Sequence, residues 1–504
     1  MKFKRIFNKE WLSLHPYTNA DSVDLYYVNL ANRIKKTILG GIKFNPYKTE
    51  DSLNELSCML TAWFEDVISQ LGIWQAFTTE CEKVYGTRLP FYDVTQEYYP
   101  DEINVQDIKF LLWHHLQTLQ GYKRIADPFS PHIDGLANEL YKVFDEEYET
   151  APENNRMQQY LTQELEEEGR FVGFRNILQW FHTQCYLCLD NKKGLAKDIA
   201  DNIDHSGSIS PASISMAIYS ATVSDIFTRH TSLLGMTAPE WMSRIFHSEP
   251  LKTFASELKY EGQHDFLIEA EDDTYVHLIQ TDKGERRRFK LHKRGIDQHS
   301  LPEDVKPGHR CLTSLVFFDG EYVQNGGLFF DDPKPDNDAI VEDANKQEQQ
   351  PEKKEQANSE PYPDYGFVAA TGGKGYTFFG SKGEAIEFFN MNVQGIPEEV
   401  LRMVIDSTNS PTLCIYDEKC GLVTLSIAEF LNFPDNPYYK EAPRNINRVI
   451  ALLCDWNNIP YSVVCKLNRL GMLDSVRHYH FTGTAEELRK HNQFIIDYFY
   501  CQHQ

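Results

Sequence analysis

Chemistry in this 504-residue chain has to come from a few local groupings. The first is His182-Thr183-Gln184-Cys185-Tyr186-Leu187-Cys188. Imidazole and thiolate suit zinc, and a spacing of three sets successive members about 5–6 Å apart on one helical face. Tetrahedral zinc also needs a fourth ligand, and none is adjacent. The flanking Phe174, Ile177, Leu178, Trp180, Phe181 and Leu189 are apolar, so the same three residues also read as core. The second grouping is basic. Seven Lys or Arg fall between 283 and 294, inside an acidic protein. On a strand, alternate residues share a face. Arg286, Arg288, Lys290 and His292 then line one side, and Arg287, Phe289, Leu291 and Lys293 the other. Small barrels bind single strands by joining such a basic face to stacking aromatics, for which Tyr275, Phe289 and Tyr322 are the candidates. A solvated edge strand, or docking on acidic residues of the same chain, accounts for the charges equally.

Three weaker groupings complete the set. Gly372-Gly373-Lys374-Gly375 lacks the spacing of a phosphate loop and has Tyr376 where Ser or Thr belongs, so it reads as a hairpin turn. His478-Tyr479-His480 offers two imidazoles on one face of an extended segment. Asp107 and His114 lie two helical turns apart, too far for a direct hydrogen bond, so His114 and His115 read as satisfied histidines at a helix interface. No nucleophile elbow, zinc-protease, Walker A, kinase or dinucleotide-binding motif is present.

The elements that must position these residues divide the chain into four parts: a helical domain over 1–260, a small β-barrel over 261–330, a tether over 331–361 and an α+β domain over 362–504. In the first part, Ser52-x-x-Glu55 reads as a capping box before Leu53, Leu56, Leu60, Trp63, Val67 and Leu71 at helical spacing. Asp21 and Ser22 cap a helix ending at Gly40-Gly41, and Asn104 caps one ending at Gly121. Further amphipathic stretches cover 133–149, 155–168, 171–189 and 194–204, and Pro211 opens another. Beyond 263 the pattern becomes strand-like over 265–271, 275–280, 286–293, 311–318 and 321–330, with turn signals at Asp319-Gly320 and Pro307-Gly308. Five short strands in about 70 residues predict an antiparallel barrel of OB or SH3-like size. Residues 331–360 hold ten acidic side chains and almost no large apolar ones, which predicts disorder. The last part alternates strands with helices, three of which (444–458, 461–473 and 484–500) close the chain.

Charge narrows the function. The net charge is −24, of which residues 331–360 carry −6. Such a surface repels phosphate backbones and anionic membranes. No apolar run approaches the roughly 18 residues of a membrane span. The first nine residues lack a secretory h-region, and ten dispersed cysteines among apolar neighbours read as free thiols, so a reducing, cytoplasmic setting is expected.

The segment Asp107 to His115, the opening Phe7 to Tyr17 and the pair Tyr26-Tyr27 after Asp24 resemble signatures of an uncharacterised family of helical Bacteroidetes proteins. The resemblance covers about the first 330 residues. It implies a bacterial, intracellular protein and carries no function.

The expectation is therefore a multidomain α+β protein that is non-catalytic and recognises a macromolecular partner, most directly a protein, through tethered units. Arg286, Arg287, Arg288, Lys290 and Lys293 would supply the docking surface. Two alternatives stand beside it: single-stranded RNA bound on the basic strand, and an enzyme with a helical-domain cleft using His115, His182 or nearby carboxylates. No cofactor is expected apart from zinc, should His182, Cys185 and Cys188 hold it.

Overall fold

A computed structural model describes residues 4–41, 49–95, 97–121, 125–205, 211–282, 286–293, 307–331, 361–393, 395–408, 410–440, 456–475 and 490–501. It is an α+β chain with a helical N-terminal region. The acidic segment 332–360, His478 and His480, and the expected helix over 444–458, apart from residues 456–458, lie outside the described residues.

Twelve helices are described before the first strand: α1 (Asn8–Leu12), α2 (Ser22–Gly41), α3 (Glu50–Ser69), α4 (Ile73–Tyr85), α5 (Val105–Gln120), α6 (Pro131–Tyr148), α7 (Asn155–Thr162), α8 (Arg170–Gln184), α9 (Leu189–His205), α10 (Pro211–Thr228), α11 (Ala238–Ile245) and α12 (Glu249–Glu257). The Asp21 carboxylate caps α2, accepting from Val23 N at 2.8 Å and Asp24 N at 3.1 Å. Gly121, at φ +70°, ends α5. The expected capping box of α3 is corrected. Its N-cap is Thr49, whose hydroxyl accepts from Ser52 N at 3.1 Å, and this frees Glu55 for another role.

One carboxylate organises the centre of this bundle. Asp66, near the end of α3, accepts from Ile73 N (3.2 Å) and Trp74 N (2.7 Å), and so caps α4 from outside its own chain segment. The same carboxylate accepts Tyr186 OH at 2.7 Å, tying in the turn after α8. In the same helical region Trp11, Trp63, Trp74, Trp113 and Trp241 are fully buried.

Five strands follow: β1 (Lys259–Glu271), β2 (Tyr275–Gln280), β3 (Arg288–His292), β4 (Arg310–Phe318) and β5 (Glu321–Asp331). β1 pairs with both β2 and β4, so the order β1-β2-β3-β5-β4 returns to its start as a small closed barrel. The closing pair, β3 with β5, is parallel and meets at Leu291 and Tyr322, which corrects the expectation of a wholly antiparallel sheet. Phe266, Ile268, Val276, Leu278, Phe289, Leu291, Cys311 and Leu315 fill its interior. Its β4–β5 end sits on the helices. Phe318 packs on Phe171, Phe174 and Phe254, and Arg175 reaches Asn325 Oδ1 at 3.2 Å.

The C-terminal part contains α13 (Phe367–Ala370), β6 (Tyr376–Phe379), α14 (Lys382–Asn392), α15 (Glu398–Asp406), β7 (Thr412–Asp417), β8 (Gly421–Leu425), α16 (Tyr461–Arg469) and α17 (Asn492–Tyr500). The antiparallel sheet runs β6-β7-β8. The expected hairpin around Gly372-Gly373-Lys374-Gly375 is corrected to helix–turn–strand. The Asp364 carboxylate accepts from Gly366 N and Val368 N, which starts α13 where a strand was expected.

The sequence leaves open whether the outer parts touch. They do. Phe494 and Tyr498 of α17 pack on Phe91, Phe110 and Trp113 of the helical region. Tyr498 OH lies 2.9 Å from His114 Nδ1. Asp497 accepts from Tyr85 OH (2.9 Å) on one side and Tyr461 OH (2.8 Å) on the other. The C-terminal part is thus held by direct packing as well as by the chain through 332–360, and recognition by a unit roaming on a tether loses its premise.

Truncating Phe494 to Ala should cost about 3–5 kcal/mol, the range for a large aromatic lost from a core. Hydrogen exchange should quicken in α5 and α16 while β1–β3 stay protected. Unchanged exchange in α5 would show that α17 does not anchor the C-terminal part.

Candidate binding site

The sequence-predicted residues fall into three groups. The His-Cys-Cys set does not lie on one helix. α8 ends at Gln184, and Cys185 takes an extended conformation (φ −61°, ψ 138°), which carries Cys188 away from the helical face. His182, Cys185 and Cys188 are buried. His182 Nε2 is 2.7 Å from Asp225 Oδ2, and Arg229 Nε holds the same carboxylate at 2.9 Å. Burial pushes the Cys188 thiol far above its ordinary range. Among the described residues no three His, Cys, Asp or Glu side chains are grouped to hold a metal ion.

Three cations of the basic strand, Arg287, Arg288 and Lys293, are neutralised within the chain. Arg287 pairs with Glu261 at 2.8 Å, Arg288 grips Glu269 through two bonds of 2.9 and 3.0 Å, and Lys293 pairs with Glu271 at 2.6 Å. Arg286 donates to the carbonyl of Thr281. Lys290 is exposed and has no ion pair among the described residues. Of the three aromatic platforms, Phe289 is corrected. Phe289 is only 2% exposed and belongs to the sheet's interior. Tyr322 OH donates to Glu261 and Tyr275 OH to Glu321, each at 3.2 Å, and both rings are half-buried. A face whose arginines already hold carboxylates neutralises few phosphates and so releases few of a nucleic-acid backbone's counterions.

The histidines of the enzyme alternative do not converge. His182 faces Asp225, whereas His115 lies 3.3 Å from Glu55 Oε1. Both are buried. Of these paired groups, Glu55 lines a described cleft. That cleft, about 450 Å³ between α1, α3 and α8–α9, is also lined by Ser13, Asp51, Cys58 and Lys193. Lys193 pairs with Glu55 at 2.6 Å, and with His115 this holds the carboxyl down to about 2, against the effect of burial.

The larger cleft was missed in the sequence. It measures about 670 Å³ and opens where β7, its turn into β8, α16 and α17 meet. Its neutral donors are directed inward. Ser462 Oγ donates to Asp417 Oδ1 at 2.8 Å, and Lys419 N donates to the same oxygen at 3.0 Å. Gln493 Nε2 and Tyr461 OH both donate to Asp497 at 2.8 Å. Lys466 Nζ uses one bond, 2.6 Å to the carbonyl of Tyr416. Lys419 and Arg469 are exposed on the rim and have no ion pair among the described residues, beside the exposed Glu418. The lining comes from residues 417–419, 461–469 and 493, which no short motif spans.

The family model described as a protein of unknown function (DUF3843) matches residues 5–299. The chain belongs to this family. The match covers the helical region and the first three strands of the closed sheet. No curated protein and no solved structure gave a match. Among the described residues no helix is long and apolar enough to cross a membrane.

Two outcomes follow from this geometry. A double-mutant cycle on Arg288→Ala and Glu269→Ala, read by urea unfolding, should give a coupling of about 0.5–1 kcal/mol, as for a well-formed ion pair in direct contact. Zero coupling would mean the strand is not neutralised as described. The second concerns Asp107, buried against Tyr98 OH (2.7 Å) and Asn104 Nδ2 (3.1 Å), whose carboxyl burial pushes up to about 7. Its unfolded value is about 3.9. Between those values the native state holds the extra proton, so this group's contribution to stability falls as pH rises. Asp107→Asn should therefore lose less melting temperature than the parent between pH 5 and pH 8. A greater loss would refute the assignment.

Proposed function

We propose that this protein is a non-catalytic interaction protein that holds a macromolecular partner at the cleft between β7, α16 and α17. The observation that carries the reading is the state of the cleft's polar groups. Its hydroxyl and amide donors are spent on Asp417 and Asp497, while the rim cations Lys419 and Arg469 have no ion pair among the described residues. A surface built this way meets a partner's charges without a network of its own to break. Further support comes from the cleft's position. Gln493 and Tyr461 line it and share Asp497 with Tyr85 of the helical region, so the site rests on a fixed base.

Adaptor action through the basic strand has less support, since Arg287, Arg288 and Lys293 each already hold a glutamate. The same pairing weighs against single-stranded RNA there.

Photo-crosslinking in native cells tests the reading. A crosslinking amino acid placed at Lys419 should yield a discrete, nuclease-resistant protein adduct, and one at the exposed Lys290 should not. Equal adducts at both positions, or none at Lys419, would refute it.

A further inference from the structure

We infer that the partner presents an acidic peptide segment, recognised by Lys419, Lys466 and Arg469; this rests on the reading of the cleft given above. Each neutral donor among the cleft's lining side chains has an acceptor within the chain. Ser462 serves Asp417, Tyr461 serves Asp497, and Gln493 serves Asp497 and Cys465 Sγ at 3.6 Å. Two of the acceptors are matched in turn. Asp417 receives Ser462 and the Lys419 amide, and Gln493 Oε1 receives Asn468 Nδ2 at 3.2 Å. A neutral polar ligand therefore finds few open partners there.

The cations remain. Lys466 uses one of its three N–H donors on Tyr416, and its ammonium lies 5.7 Å from the centre of that residue's ring. Arg469 is one turn further along α16, and Lys419 rises from the β7–β8 turn. Three positive groups on two elements fit several carboxylates along a short chain better than one point charge. Arginine takes carboxylate, as it takes phosphate, in bidentate fashion.

Charge beyond the cleft disfavours a nucleic acid. The whole chain carries −24, so a long polyanion meets repulsion away from the cleft. A short acidic segment confines its charge to the three cations.

The test is fluorescence anisotropy on the full chain with labelled hexaglutamate, hexaglutamine and a twelve-nucleotide single-stranded RNA. Hexaglutamate should bind saturably. Its affinity should fall at least tenfold in Lys419→Ala and in Arg469→Ala, both exposed positions where loss of folding is not expected, and stay unchanged in Lys290→Ala. Hexaglutamine should not bind. RNA binding tighter than hexaglutamate, or hexaglutamate binding indifferent to Lys419→Ala and Arg469→Ala, would overturn the inference. So would no hexaglutamate binding at all. If that failure came with the Lys419 crosslink intact, the partner would be of another chemistry and the interaction reading would stand. If the crosslink were lost as well, both would fall.

Discussion

Nine residues at the end of the described chain, Asn492–Tyr500, hold the architecture together. α17 inserts Phe494 and Tyr498 among Phe91, Phe110 and Trp113, and its Asp497 is shared between Tyr85 and Tyr461. Burial alone would leave the angle of this helix free, because apolar contact is not directional. The buried carboxylate supplies the direction. An unpaired acceptor at that depth would cost about 1–3 kcal/mol, so α17 is held where both phenols reach Asp497. The larger cleft follows from this placement, since Gln493 and Tyr461 form part of its wall.

The same economy recurs through the molecule. Asp66 caps α4 and holds Tyr186, Asp225 holds His182 and Arg229, and Asp107 takes Tyr98 and Asn104. Residue types that suit catalysis are consumed as the joints of a large helical bundle. Their perturbed titration marks burial and structural bonding, which shift pKa values as effectively as an active site does.

The closed sheet shows how composition misleads about surface charge. Five arginines and lysines within residues 286–293 suggest a polyanion site. Yet β1 and β3 both flank β2, so glutamates about twenty residues earlier come within reach of them, and Glu269 and Glu271 are taken by Arg288 and Lys293. Sequence distance conceals this, because the sheet's closure decides which charges meet.

Local order was legible in the sequence wherever one period and one cap decide an element. The helix after Asp21, the stop at Gly121, the start at Pro211 and the strand Tyr275–Gln280 depend on neighbours within a few residues. Cysteine burial was legible for the same reason, from the apolar residues around Cys58 and Cys185. Tertiary structure alone decided that α8 releases Cys185 and Cys188 from the face of His182, that Glu55 serves His115 and Lys193 instead of a cap, and that Phe289 points into the sheet. It alone assembled a cleft from residues 417–419, 461–469 and 493. The physical reason is common to all of these. A side chain's partner is set by which elements pack together, and that choice is made by burial and charge pairing across long stretches of chain, where no local pattern carries information.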